Sequence, residues 1–265
     1  MDANTEITKF TIVIIQSLKE DDLKTGELLY NKLSASLPIK YSDTSVQFYD
    51  VKDKKELAEV FYKVYNGIED GELITLQIEA HGCEDGVDLA SGELVTWKEF
   101  FGIIRPFNVK MLNLLLVCMS MCFGGALLTQ FEPEKRAPYR AFIATGDKIK
   151  AGVLLDGFTA FYDNYHHLLN SFVAFEAMKK ATIDANTGRS PFWMMTSEDV
   201  FQRTLDPDRD PANFKHIVSE RYVKQKLEGK NVTMEQVATE VRDLLEETYN
   251  RYYENFTFRD LIPKG

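Results

Sequence analysis

The chain has 265 residues, 45% of them hydrophobic and 27% charged, which is enough to bury a substantial core in one large domain. Its formal net charge of −10 argues against a nucleic-acid partner, because phosphate binding requires clustered lysine and arginine. No apolar run reaches the length of a membrane span, the first residues do not resemble a signal peptide, and three cysteines are too few for a disulfide framework. We therefore expect a cytoplasmic protein with no membrane partner.

The first third of the chain alternates short apolar runs with helical patterns. Residues 10–16, 45–51 and 72–80 are rich in β-branched and apolar side chains and predict buried strands. Residues 21–37 and 54–68 carry apolar side chains at helical spacing. Strands separated by helices of this length indicate crossover connections and a parallel sheet covered on both faces.

A hairpin and a short helix are predicted after the third strand. The dipeptide Ser91-Gly92 separates two short apolar stretches, which is a hairpin signal. Thr96 and Glu99 have the spacing of a capping box, so a helix is expected to begin after Thr96. We expect this helix to end before Pro106, because the residue preceding a proline disfavours helical geometry.

The rest of the chain divides into two parts. Residues 110–122 and 139–146 predict a fourth and a fifth strand, and 157–181 predict a long helix or a helix pair. Turn-rich breaks then lead to a strongly helical closing segment at 232–256, with a capping box at its start.

The predicted fold class is therefore α/β, with a mostly parallel central sheet flanked by helices and a C-terminal helical subdomain. The α/β domain is expected over residues 1–182 and the helical subdomain over 183–265. We expect one short strand, at 192–195, within that C-terminal subdomain.

Two cysteines lie four residues apart at the end of the fourth apolar run. In a strand, Cys118 and Cys122 lie about 13 Å apart, at roughly 3.3 Å per residue. Zinc ligands lie only about 2.0–2.3 Å from the metal, so a site made of His81, Cys83, Cys118 and Cys122 requires this run to be helical. Zinc binding thus stays open as an alternative, while Cys118 is predicted to be a small buried residue of a central strand.

Cys122 and His81 each lie where an apolar run ends and a glycine follows. The carboxyl ends of parallel strands form the crevice in which ligands bind, so the two side chains are expected at one edge of the sheet. A thiol needs a base because only the thiolate is a good nucleophile, and an imidazole can take that proton and return it to a leaving amine. Ser120, on the same face as Cys122, is a candidate to orient a substrate.

These two blocks resemble the caspase-like cysteine peptidases, in which one apolar strand ends in His-Gly and a second ends in a cysteine followed by glycine. Here the blocks read LITLQIEAHG at 73–82 and LNLLLVCMSMCFGG at 112–125. The resemblance covers about residues 8–170 and is closest in style to the short bacterial and metacaspase-like branch. It implies a caspase-like fold and a cysteine endopeptidase that needs no cofactor or metal and acts on a protein or peptide substrate.

The resemblance also implies roles for single residues. The backbone N–H groups of Gly82 and Cys122 are expected to hold the oxyanion of the tetrahedral intermediate. No third catalytic residue is evident; Glu79, Glu84 and Asp85 lie near His81 in sequence, and in this family a backbone carbonyl often orients the histidine. For the bacterial branch, the resemblance further implies a signal-activated effector of antiviral defence.

Substrate preference is expected from acidic residues near the same edge. The family's usual residues before the nucleophile are replaced here by Ser120 and Met121. Asp147 ends the fifth predicted strand and Asp85 follows His81, and a carboxylate bonds a guanidinium in a bidentate manner. We therefore expect cleavage after arginine or lysine.

Other functions remain open at this point. A caspase-fold signalling or scaffold module with a silent dyad has the same sequence pattern, and zinc binding is a third reading. The adjacent His166 and His167 are expected to be packing or surface residues, since neighbours on a helix point about 100° apart. We expect the helical region to receive a small-molecule or protein activator, or to pair two protomers.

Overall fold

The structure, a computed structural model, describes residues 7–165 and 170–261. Its strands are β1 (Lys9–Ser17), β2 (Thr44–Asp50), β3 (Glu72–Gly82), β4 (Gly86–Asp88), β5 (Leu94–Thr96), β6 (Leu116–Ser120), β7 (Ala141–Thr145) and β8 (Phe192–Thr196). Its helices are α1 (Thr25–Lys40), α2 (Lys54–Gly67), α3 (Trp97–Lys110), α4 (Ala151–Asn164), α5 (Ser171–Ala181), α6 (Ser197–Leu205), α7 (Pro211–Leu227) and α8 (Met234–Thr257), with a 3₁₀ helix at Gly124–Thr129. His166 and His167, which are expected to be packing or surface residues, lie outside the described residues.

A mostly parallel sheet lies at the centre, which confirms the predicted fold class. The strand order is β2-β1-β3-β6-β7-β8, and β1 pairs with β2 and β3, and β6 with β3 and β7, all in parallel. Helices flank the sheet, so strands such as β1 are buried along almost their whole length. The carboxyl ends of β1, β3 and β6 therefore meet at one edge of the sheet.

The predicted hairpin and capping box are confirmed. Strands β4 and β5 form an antiparallel pair attached to the end of β3, and Gly92 in their turn has a φ of 88°. The Thr96 hydroxyl accepts from the Glu99 N–H, and the Glu99 carboxylate accepts from the Thr96 N–H, at the start of α3.

The predicted end of this helix before Pro106 is wrong, since α3 continues to Lys110. A proline inside a helix costs about 3 kcal/mol. The turn after it is nevertheless buried: the Phe107 ring lies 5.8 Å from that of Phe61 and 5.3 Å from that of Tyr65. The buried Asn108 side chain also accepts from the Leu115 N–H at 3.1 Å. Tertiary packing of this turn thus outweighs the local cost of the proline.

The described residues form two compact units. The first comprises 7–130, 138–165 and 170–195, and the second comprises 131–137 and 196–261. The short strand expected in the C-terminal subdomain is instead the β8 edge of the main sheet, beside β7. Its Trp193 ring packs on Phe142 of β7 with centroids 5.0 Å apart, so the boundary between the units falls after 195 rather than after 182.

The second unit is helical, as predicted. The capping box of Thr233 and Gln236 begins α8, and Val237 and Val241 of its apolar stripe are buried. Met234 and Leu244 of the same stripe are each 47% exposed. Among the helices of the described part of the chain, none has both the length and the apolar character needed to cross a bilayer.

Candidate active site

Strand pairing brings His81 and Cys122 to the same level of the sheet. The β3–β6 register pairs Glu79 with Ser120, so His81 and Cys122 each lie two residues beyond this last pair. The His81 side chain is 49% exposed, and Cys122 is half-buried. The edge predicted from the sequence therefore carries both side chains.

Gly82 lies directly against the backbone of the nucleophile candidate. A Cβ at this position would lie 2.1 Å from the carbonyl oxygen of Cys122 and 3.1 Å from the Met121 side chain. No real Cβ tolerates such a contact, so only glycine allows this approach. The two residues expected to form the oxyanion hole are thus in backbone contact.

Asp22 is a partner of His81 that the sequence analysis did not find. Its Oδ2 lies 2.8 Å from Nε2 of His81 and also accepts from the Lys19 N–H at 2.8 Å. Partial burial raises the pKa of Asp22, but the hydrogen bonds from His81 and Lys19 and the nearby positive charge of Lys24 outweigh it and hold that pKa below its ordinary value. An ionised Asp22 fixes the ring orientation of His81 and leaves its Nδ1 for another partner.

The loop after β7 contacts the sulfur of Cys122. The Ile149 N–H donates to Sγ at 3.4 Å, and the Ile149 carbonyl lies 3.8 Å from the same sulfur. The Thr145 hydroxyl donates to the Met121 carbonyl at 2.8 Å and so fixes the backbone just before the cysteine. These contacts fix the position of the Cys122 sulfur against the loop after β7.

The residues predicted to bind substrate are separated in the structure. Asp147 is exposed and lines a groove of about 590 Å³ together with Ile149 and Asp156. The same groove is also lined by the basic residues Lys148, Lys150 and Arg189. Asp85 is exposed in the β3–β4 turn, outside the described lining of this groove. Ser120 is only 2% exposed, and its hydroxyl lies close enough to the buried Glu79 carboxyl to help lower the pKa of that group. That hydroxyl lies beneath the site rather than on its surface, because β6 is covered there on both faces.

The remaining cysteines do not form a metal site in the described part of the chain. Cys118 is fully buried in β6, as predicted, and burial raises the pKa of its thiol to about 12. Within residues 7–165 and 170–261, no three histidine, cysteine, aspartate or glutamate residues cluster in a way that could hold a metal ion. The described residues therefore offer no ligand set for the zinc site considered from the sequence.

The chain matches no protein-family model, and no curated protein matches it at a significant level.

Proposed function

We propose that this protein is a cysteine endopeptidase of the caspase-like type, with Cys122 as nucleophile and His81 as general base. A fold alone does not establish an activity, so the proposal depends on the site. The observation that carries it is the backbone contact between Gly82 and Cys122, next to a His81 ring whose Nε2 is bonded to Asp22.

The proposed reaction assigns a role to each of these residues. Nδ1 of His81 takes the proton from Cys122 Sγ, and the thiolate attacks the carbonyl carbon of the scissile bond. The N–H groups of Gly82 and Cys122 bind the resulting oxyanion, and the imidazolium donates its proton to the leaving amine. Water, deprotonated by His81, then attacks the thioester, releases the new carboxyl terminus and restores the thiol.

Asp22 has a defined part in this sequence. It accepts from Nε2–H throughout, which keeps the ring in the tautomer whose Nδ1 is free to accept a proton. It also stabilises the positive charge that develops on the imidazole. Asp22 touches neither substrate nor sulfur in this scheme and is a positioning residue.

The side chain before the scissile bond is proposed to be arginine or lysine. Asp147 lies two residues from Ile149, which contacts the sulfur of Cys122. An exposed carboxylate on the same loop as Ile149 can bond a guanidinium or an ammonium group. The substrate class is therefore an extended peptide with a basic residue at the cleaved position.

Peptides that differ only at the residue before the scissile bond test this proposal. We expect kcat/KM to be highest for arginine or lysine, and Asp147→Asn to lower it about 10- to 100-fold, the equivalent of one hydrogen bond to a charged group. Asp85→Asn is the matched control and should have a smaller effect, because Asp85 lies in the β3–β4 turn. Preferred cleavage after aspartate or a large apolar residue would contradict the assignment, as would an unchanged preference in Asp147→Asn.

A further inference from the structure

A buried carboxylate lies beneath the dyad and takes no part in the reaction just described. Glu79 is two residues before His81 on the same face of β3 and is 2% exposed. Its Oε2 accepts from the Thr25 hydroxyl at 2.6 Å, and its Oε1 accepts from the Gln77 amide at 2.7 Å. Burying a carboxylate is costly, and these donors offset only part of that cost, because burial still raises the pKa of Glu79 to about 7.

Glu79 serves the start of helix α1. The N-cap residue of α1, Lys24, makes no side-chain capping bond within the described part of the chain. The sheet supplies one backbone partner instead, since the Gln16 side chain accepts from the Glu27 N–H at 3.2 Å. Glu79 adds a side-chain bond from the hydroxyl of Thr25, the first residue of α1. The positive end of the helix dipole also favours a carboxylate at this place.

The packing at this helix start is tight. A Cβ on Gly26 would lie 3.0 Å from both the Gln16 amide oxygen and Cγ of Glu79. Glycine at this position lets the first turn of α1 approach the strands closely enough for both hydrogen bonds to form. The start of α1 is therefore attached to β1 and to β3.

The same helix start ends the loop that carries Asp22. Within this loop, Lys24 Nζ donates to the carbonyls of Leu18 and Lys19, and the Asp22 N–H donates to the Lys19 carbonyl at 3.0 Å. These bonds hold the loop together, so the position of Asp22 depends on where the loop joins α1. That junction is Thr25, three residues after Asp22 and bonded to Glu79.

We infer that Glu79 is a positioning residue that, through Thr25, holds the Asp22 carboxylate at hydrogen-bond distance from His81. One strand, β3, carries both His81 and Glu79, so the imidazole and the anchor of its partner loop share a rigid element. The inference rests on the proposed function for the role of His81 as the base of Cys122.

The pH dependence of Cys122 alkylation by iodoacetamide in the full chain, followed by mass spectrometry, tests this inference. Asp22→Asn should move half-maximal alkylation upward by about one to two pH units, because the imidazolium loses its charged partner. Thr25→Val removes the hydroxyl at nearly constant shape. The pH of half-maximal alkylation should then move in the same direction by about half a unit. Thr25→Ser keeps the hydroxyl and should behave as wild type.

A double variant separates this route from a general structural effect. If Glu79 acts through Asp22, Thr25→Val should cause no further shift in the Asp22→Asn background. The inference is overturned if Thr25→Val and Glu79→Gln alkylate as wild type does while Asp22→Asn is shifted. It is equally overturned if Asp22→Asn itself is unshifted, or if Thr25→Val shifts both backgrounds alike.

The readout does not depend on proteolysis. A chain that cleaves no peptide but shows the expected alkylation shifts would refute the proposed function and leave the positioning role intact. Should Glu79→Gln fail to fold, the Thr25→Val and Thr25→Ser pair decides the question, since circular dichroism can confirm that both are folded.

Discussion

Cys122→Ala and His81→Ala should each lower the rate of peptide cleavage by on the order of 10⁴-fold or more, because each removes a group that the reaction cannot replace. The two side chains act as one unit, so the double variant should be little worse than either single variant. Both positions are partly exposed, and the variants should fold as wild type does. Steady-state kinetics together with circular dichroism measure these expectations.

Cys118→Ala is the matched control for the nucleophile. Cys118 is buried in β6, and a thiol whose pKa is raised to about 12 holds almost no thiolate at neutral pH. The variant should keep its activity and lose roughly 1 kcal/mol of stability, as is typical when a small buried side chain is truncated. An inactive Cys118→Ala alongside an active Cys122→Ala would show that the wrong cysteine has been assigned.

Glu79 should make the first unit less stable as pH rises through neutrality. Burial raises the pKa of this carboxyl from 4.5 to about 7, against the hydrogen bonds that lower it. The folded protein thus prefers the neutral acid, whose stabilising contribution is complete below the unfolded pKa and is lost as pH passes the folded one. Between about pH 5 and pH 8, the free energy of unfolding should fall by on the order of 3 kcal/mol from this group alone.

Glu79→Gln should remove that dependence. Urea unfolding at a series of pH values, followed by tryptophan fluorescence, is the measurement, because Trp97 and Trp193 both lie in the first unit. The difference in free energy of unfolding between the variant and wild type should therefore grow in favour of the variant as pH rises from 5 to 8. A difference between the two proteins that is constant from pH 5 to pH 8 would contradict the buried-acid account. Increased stability together with a shifted alkylation profile would mean that Glu79 is retained for positioning at the expense of stability.

Much of the fold could be predicted because its signals are local. The alternation of apolar runs and helical patterns predicted the parallel sheet. Because His81 and Cys122 each follow the end of a strand, the sequence also predicted that both lie at the same edge of that sheet. Local rules failed where tertiary contacts outweighed them. Pro106 did not end its helix because Phe107 and Asn108 are buried, and β8 joined the main sheet because Trp193 packs on β7.

The third residue of the site could not be predicted from spacing. Asp22 is 59 positions from His81, and the two meet only because β1 is the neighbour of β3 in the sheet. Strand order is not readable from a single sequence, although the acidic run at 20–22, shortly after the first strand, was a usable signal once parallel strands were expected. The activating signal, the pairing of protomers and the cellular location stay predictions of the sequence.

Helix faces were the least reliable local prediction. Leu28 fitted the helical apolar spacing of the first helix, yet it is 44% exposed, and Leu23, which fitted the same spacing, is 50% exposed and lies before α1 begins at Thr25. Leu29 and Leu33 of the same pattern are fully buried. Spacing alone predicted an apolar stripe on α1 that is wider than the face of α1 packed against the sheet and α4.

The most direct test of the central claim is covalent labelling of the wild-type chain with thiol-alkylating peptidyl ketones. A panel that ends in arginine, lysine, aspartate or leucine separates the identity of the nucleophile from substrate preference. We predict one adduct, located on Cys122 by mass spectrometry, formed fastest with the basic peptides and strongly slowed in His81→Ala. Labelling at Cys83, or no adduct on Cys122 with any member of the panel, would contradict a His81–Cys122 peptidase site.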